Sequence, residues 1–266
     1  MNTFAFGAYV PGRTVVHRLD ARAKLIFTAC LMMLILTLDR AVSHLFLLAF
    51  VLFAIRSCGF SWGAWFRSAR PVLLFIAGAS LFHLFVTSGG KVLLAAGPLE
   101  IHEAGLRQGL LTAGRLFLLT ASASLLTATT SPAALTDALE RLLSPLSRLG
   151  LPIHELAMMM SIALRFIPVL WEEAERIRLA QSARGADFES GFVSAVRAWV
   201  TVFVPLLVST LRRADELSLA MEARGYRGGT GRTRWRRPRW SAQDNLLFLL
   251  FAGLWVLAWM LERMNG

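Results

Sequence analysis

The sequence predicts an all-α, polytopic membrane protein with about five transmembrane helices and long amphipathic cytoplasmic helices. Three observations carry that fold class. Apolar residues make up 56% of the 266-residue chain and charged residues only 17%, with a mean hydropathy of +0.56. Soluble domains average about 25% charged residues, so this chain lacks the polar surface of a water-soluble globule. The net charge is +11, and every basic residue except Lys24 and Lys91 is an arginine. High hydropathy with strong positive charge places basic faces on one side of a bilayer. Finally, several apolar runs approach the roughly 20 residues that a spanning helix needs. An ordinary soluble enzyme, a disulfide scaffold and a disordered regulator are all excluded.

The first expected span is Ala23–Leu38, separated by Asp39-Arg40 from a second, Val42–Ile55. Both are short and read as a tight hairpin. Ser57–Arg70 reads as a polar break with Trp62, Trp65 and Phe66 at interfacial spacing, before the third span, Pro71–Ser88. Gly89-Gly90, Gly97-Pro98, Glu100 and Glu103 mark an exposed loop. Gly105–Thr129 is the fourth span and Leu246–Leu261 the last. Residues 1–130 therefore form an N-terminal membrane domain, 131–240 a cytoplasmic or interfacial domain, and 241–266 a C-terminal transmembrane helix.

The middle region is different in kind. Ser131-Pro132 begins it as an N-cap followed by a proline at the first helical position. Pro145, Gly150-Leu151-Pro152, Pro168 and Pro205 are expected to break it into several helices. Those helices are too charged to span readily and too apolar to stand free, so they read as amphipathic helices along the cytoplasmic interface. The alternative is that Ile153–Leu170 and Val193–Val208 both span. Arginine bias puts the N-terminus and the middle region inside and the C-terminus outside, and no removed signal peptide is expected.

Chemistry-bearing patterns are scarce. No phosphate-binding Gly-x-x-x-x-Gly-Lys-Ser/Thr loop occurs, and the expected spans carry no carboxylate away from their ends for an ion relay. The five histidines have no ligand spacing, so no metal site is expected, and His83 reads as an internally bonded packing residue. Cys30 and Cys58 read as small apolar packing residues. Arg115, deep in the fourth span, either lines a partner surface or reaches a headgroup or a helix carbonyl. Gly105, Gly109 and Ala113 at four-residue spacing permit close helix packing, within the chain or against a partner. Met158, Met159 and Met160 provide either an adaptable partner surface or an ordinary amphipathic core. The Arg224–Arg239 cluster, with Trp235 and Trp240, fits anionic lipid headgroups better than nucleic acid.

One repeat stands out. Gln181-Ser182-Ala183-Arg184-Gly185-Ala186 and Met221-Glu222-Ala223-Arg224-Gly225-Tyr226 each place Ala-Arg-Gly at the end of a helix-period run. Glycine past the last turn takes a left-handed cap, alanine admits a neighbouring backbone, and the arginine projects from the helix end. A guanidinium there grips a carboxylate with two parallel hydrogen bonds. Arg-Gly helix ends are also common because a cation suits the helix dipole. Two copies in matched contexts, in a chain with no motor of its own, read as two docking points for similar partners.

These segments resemble a known family. With Tyr9-Val10-Pro11-Gly12, His17–Leu25, Leu84–Gly90, Thr129–Pro132 and His154–Pro168, the chain is similar over nearly its whole length to the transmembrane (T) component of energy-coupling factor (ECF) transporters. The shared T component, serving several vitamin-binding subunits, is the nearest type. Ala21 departs from the family, which usually has proline there. The resemblance implies a non-catalytic subunit of an importer in the prokaryotic cell membrane, its N-terminus and coupling helices cytoplasmic. Arg184 and Arg224, flanked by Ala183, Gly185, Ala223 and Gly225, would dock two ATP-binding-cassette (ABC) ATPases. No cofactor belongs to this chain, because ATP and magnesium bind in those ATPases. A separate membrane-embedded S component would hold the vitamin, and Pro168 and Pro205 would act as hinges for the coupling motion. A T component dedicated to cobalt, nickel or biotin, and a self-sufficient secondary transporter, are the alternatives.

Overall fold

The structure, a computed structural model, describes residues 9–12, 14–59, 62–96, 99–228 and 242–263. Its helices in chain order are α1 (Val15–Arg18), α2 (Ala21–Thr37), α3 (Ala41–Ser57), α4 (Trp62–Val86), α5 (Glu103–Thr129), α6 (Pro132–Leu143), α7 (Ile153–Ala183), α8 (Phe192–Ala223) and α9 (Ala242–Arg263). The chain is an all-α polytopic membrane protein. A small hairpin, β1 (Val92–Ala96) antiparallel to β2 (Leu99–His102), lies between α4 and α5, where the sequence predicts only an exposed loop. Short apolar stretches on either side of Gly97-Pro98 pair readily once the chain reverses; Gly97 and Pro98 themselves are outside the described residues.

The chain forms two compact units, residues 1–138 with 237–266, and residues 139–236. In the first, α5 packs against α2, α3 and α4, while α9 packs against α2 and α3. Its core joins Leu31, Ile35, Leu47, Val51, Ile55, Leu118, Ala121, Leu254 and Ala258. Phe27 stacks edge-on against Phe251 at 5.7 Å. Leu36, Phe53, Leu74, Phe75 and Leu249 stay exposed, as suits a bundle whose outer solvent is lipid.

Polar groups fasten the ends of this bundle. Asp20 caps α2 by accepting from the Arg22 backbone N–H, and its own N–H donates to the carboxylate of Asp244 at 2.9 Å. Asp244, at the start of α9, is only 1% exposed, so this contact ties the two helix starts together. Lys24 Nζ donates to the carbonyls of Thr129 and His17, closing the last turn of α5. At the other end Glu262 accepts from the Asp39 backbone N–H and the Ser43 hydroxyl, holding the α2–α3 turn to α9.

Three expectations are corrected. Residues 62–70 are helical and continue through Pro71 as α4. Trp65 is buried rather than interfacial, its indole N–H donating to Ser124 Oγ and its ring packing edge-on to Phe117. Pro168 and Pro205 lie inside unbroken helices instead of ending them. Each removes one backbone hydrogen bond, but ending a helix among apolar side chains would strand far more backbone polar groups. Pro145 and Pro152 do mark boundaries, at a short 3-10 turn (Ser144–Leu149) and at the start of α7.

The helices long and apolar enough to span, among the described residues, are α5, α7, α8, α9 and the Ala69–Val86 part of α4. The sequence assigns the five spans to α2, α3, α4, α5 and α9. The difference arises because α2 and α3 have 17 residues each, at the short limit. The apolar halves of α7 and α8, once joined through their prolines, reach spanning length.

Candidate docking site at two matched helix ends

The second unit is built on α7 and α8, which run antiparallel. Glu173 on α7 pairs with Arg213 of α8 at 2.7 Å and accepts from the Ser209 hydroxyl. Toward the start of α7, Met158, Ile162 and Arg165 face Leu217, Met221 and Arg224 near the end of α8. His154 contacts Glu140 of α6 at 2.9 Å, fixing the entry to α7.

Both Ala-Arg-Gly triplets terminate helices in the same way. Ala183 and Ala223 are the last helical residues, and Arg184 and Arg224 are the C-caps. Gly185 and Gly225 follow with φ of +88° and +71°, a left-handed region that a side chain would strain. In each case the glycine N–H donates three residues back, to Ser182 or Glu222. The next N–H reaches five residues back, from Ala186 to Gln181 and from Tyr226 to Met221. This pair of bonds is the Schellman closure, which satisfies carbonyls the helix leaves open. No atom lies within 4 Å of a Cβ built on either glycine, so the backbone conformation requires glycine, not crowding within the chain.

Ala183, Arg184 and Gly185 are exposed, as are Ala223, Arg224 and Gly225. Neither the Arg184 nor the Arg224 side chain makes a hydrogen bond or ion pair with another described residue; only their backbone N–H groups are bonded, each within its own helix end. Because the helices are antiparallel, the two arginines stand at opposite ends of the pair. Phe188, four residues beyond Arg184, packs edge-on against Trp199 at 5.6 Å. From Trp199 to Arg224 the helix advances about 37 Å at 1.5 Å per residue. Two well-separated, exposed and chemically matched cations result.

Their surroundings differ. After Arg184 the chain turns on Asp187, whose carboxylate accepts from the Glu189 and Ser190 backbone N–H groups. The Ser190 hydroxyl first and these two N–H groups second hold that carboxyl below its usual range. Arg178 nearby is bonded through two nitrogens to Glu175. At the other end Arg224 lines a cavity of about 740 Å³ with Arg165, Arg227, Met158 and Met221.

The remaining expected site residues are placed as follows. Gly105 and Gly109 press against α4: a Cβ on Gly109 would lie 2.9 Å from the Ser80 carbonyl, and one on Gly105 3.0 Å from the carbonyls of Leu84 and Thr87. Their small size serves contact inside the chain; Ala113 is half-buried on the same helix. Met159 and Met160 are exposed, while Met158 turns into the cavity. Arg115 donates to the Leu38 carbonyl and to Asp39, both at 2.8 Å. His83 meets Thr87 one turn on. Among the described residues no group of His, Cys, Asp and Glu is arranged to hold a metal. The Arg232–Arg239 run with Trp235 and Trp240 lies outside the described residues.

The sequence reading misses Arg165 as a companion of Arg224, and places Arg227 beside Arg224 only in the cluster read as facing lipid headgroups. A signal for Arg165 was present. Met158, Ile162 and Arg165 have the same i, i+4, i+7 spacing as Leu217, Met221 and Arg224. Each is a helical stripe ending in arginine.

Comparison with known proteins extends these observations over the whole chain. A family described as cobalt transport protein (CbiQ) matches residues 12–235. The energy-coupling factor transporter transmembrane protein EcfT of Heliobacterium modesticaldum is 46% identical, covering 97% of both chains. That of Brevibacillus brevis is 44% identical over 93% of this chain and 94% of its own. That of Bacillus subtilis is 39% identical over 98% and 99%. With the polytopic fold and near-complete coverage, these likenesses show that this chain belongs to the CbiQ/EcfT family of energy-coupling factor transporter transmembrane proteins.

Proposed function

We propose that the chain is the non-catalytic coupling subunit of an ECF-type ABC importer. Arg184 and Arg224 dock two cytoplasmic ATPases, with Ala183, Gly185, Ala223 and Gly225 admitting the partner backbone. ATP and magnesium are held in those ATPases, and this chain passes their motion to a membrane-embedded S component that carries a vitamin. One observation carries this reading: two identical, exposed helix terminations stand at opposite ends of one antiparallel helix pair. Two like cations separated by most of the length of α8, which rises about 37 Å from Trp199 to Arg224 at 1.5 Å per residue, fit two like partner domains. Domain limits at 1–130, 131–240 and 241–266, with residues 131–240 cytoplasmic or interfacial and the N-terminus cytoplasmic, follow from the same reading. So does the cell-membrane location. Pro168 and Pro205, each removing a helix hydrogen bond, are the positions at which α7 and α8 would flex. Met159 and Met160, exposed and unbranched, suit contact with interchangeable S components.

A second reading is favoured by the family's own description, which names cobalt transport. It keeps the same docking and changes only the S component and its cargo. Both are tested by tagging the chain, solubilising native membranes in detergent, and identifying what remains bound by mass spectrometry. Two ABC ATPases with one or more small apolar membrane proteins are expected, and those last name the cargo. Arg184→Ala and Arg224→Ala should each lower ATPase recovery by about tenfold, the loss expected for a charge-assisted pair. The double variant should abolish uptake. A chain that purifies alone and transports in liposomes, or wild-type uptake by the double variant, would sink the docking role.

A further inference from the structure

The two helix ends are matched in backbone, but only the α8 end faces a cavity lined by three arginines and no carboxylate, Glu222 lying exposed outside that lining. At the α8 end, Arg224 shares a cavity of about 740 Å³ with Arg165 from α7 and Arg227 from the segment that follows α8. Its other lining residues are Met158, Ile162, Leu217, Met221, Gly225, Tyr226 and Gly228, and no carboxylate is among them. Arg165 and Arg227 are exposed, and neither makes an ion pair with a described residue. At the α7 end, Arg184 is followed by Asp187 and Glu189, and the nearby Arg178 is neutralised by Glu175.

We propose that Arg165 and Arg227 act with Arg224 as specificity residues, so that the α8 end accepts only a partner presenting an acidic groove with two or more carboxylates. This rests on the docking role proposed above and adds to it that the two ends are not interchangeable. Three guanidiniums around one apolar-floored cavity repel each other unless anions enter between them. Each carboxylate supplied by a partner relieves that repulsion and accepts two parallel hydrogen bonds. Met158 and Met221 give the floor a shape that adapts to the inserted segment. A partner fitted to this cavity would meet Asp187 and Glu189 at the α7 end, where like charges oppose it. Charge complementarity thus sorts two similar partners onto two similar helix ends.

The test is charge reversal in the tagged full chain, Arg165→Glu with Arg227→Glu, leaving Arg224 intact. Each co-purified ATPase is quantified separately from native membranes, at low and moderate salt. Recovery of one ATPase should fall at least about tenfold while the other is unchanged, and Glu189→Lys should leave that first ATPase in place. The neutral pair Arg165→Gln with Arg227→Gln should show the same selectivity at smaller size, and it serves if the reversed chain does not fold. Unchanged recovery of both ATPases, or equal loss of both from a folded chain, overturns the proposal. Loss of co-purifying phosphatidylglycerol with both ATPases retained would mean that the cavity reads lipid headgroups, and also overturns it. If Arg224→Ala leaves both ATPases bound as well, the docking role itself has failed; if it removes one, only the role of Arg165 and Arg227 has failed.

Discussion

At the scale of single residues, charged side chains of the bundle close helix ends. Arg115 is the clearest case. A guanidinium in an apolar helix is costly unless paired, and here it reaches the last carbonyl of α2 at Leu38 together with Asp39. One residue thereby caps a neighbouring helix and neutralises the turn after it. Arg115→Leu should destabilise the detergent-solubilised protein by about 1–3 kcal/mol, the usual cost of removing such a partner. Thermal unfolding checks this, and an unchanged midpoint would show that the bond contributes nothing. The need for a partner was legible from the sequence; which carbonyl provides it was not, because Leu38 lies 77 residues away. Trp65 makes the same point. Its neighbours Trp62 and Phe66 give it an interfacial look, yet Ser124 on α5 takes its indole N–H and lets it bury.

At the scale of elements, α4 and α5 show how close approach is written in small residues. The Gly105–Gly109 spacing indicates close packing, and the structure identifies α4 as the neighbour, with the Ser80 hydroxyl donating to the Gly109 carbonyl at 2.9 Å. Even one added carbon on Gly109 meets the Ser80 carbonyl at 2.9 Å. Gly109→Val should therefore push α4 and α5 apart and cost about 1–3 kcal/mol through overpacking. Differential scanning fluorimetry in detergent reads that loss; Gly114→Val is the control, because nothing lies within 4 Å of a Cβ there. The prolines taught the reverse lesson. Local rules stop a helix at Pro168 and Pro205, but those rules suit a chain whose freed backbone groups find water. Inside apolar surroundings one missing bond costs less than a terminated helix, so α7 and α8 run on.

At the scale of the whole molecule, the orientation proposed from the arginine bias is one that labelling can check. In a chain with Cys30 and Cys58 replaced by serine, Ala186→Cys should react with a membrane-impermeant maleimide only from the cytoplasmic side. Lys91→Cys should react only from outside. Reaction of both from one side would overturn the proposed topology. By itself the sequence determined the membrane class, the all-α fold and the two Ala-Arg-Gly helix ends. Composition, apolar run length and the cap-forming glycine act over one helix or less. Only the tertiary structure decided that α7 and α8 lie antiparallel, placing their arginines at opposite ends. It alone brought Arg165 beside Arg224, and gave Arg115, Trp65 and Asp244 their partners. The physical reason is range. Helix formation and capping are satisfied by neighbours within about five residues, whereas a buried polar or charged group takes whichever partner packing brings within hydrogen-bond distance, however far away in sequence.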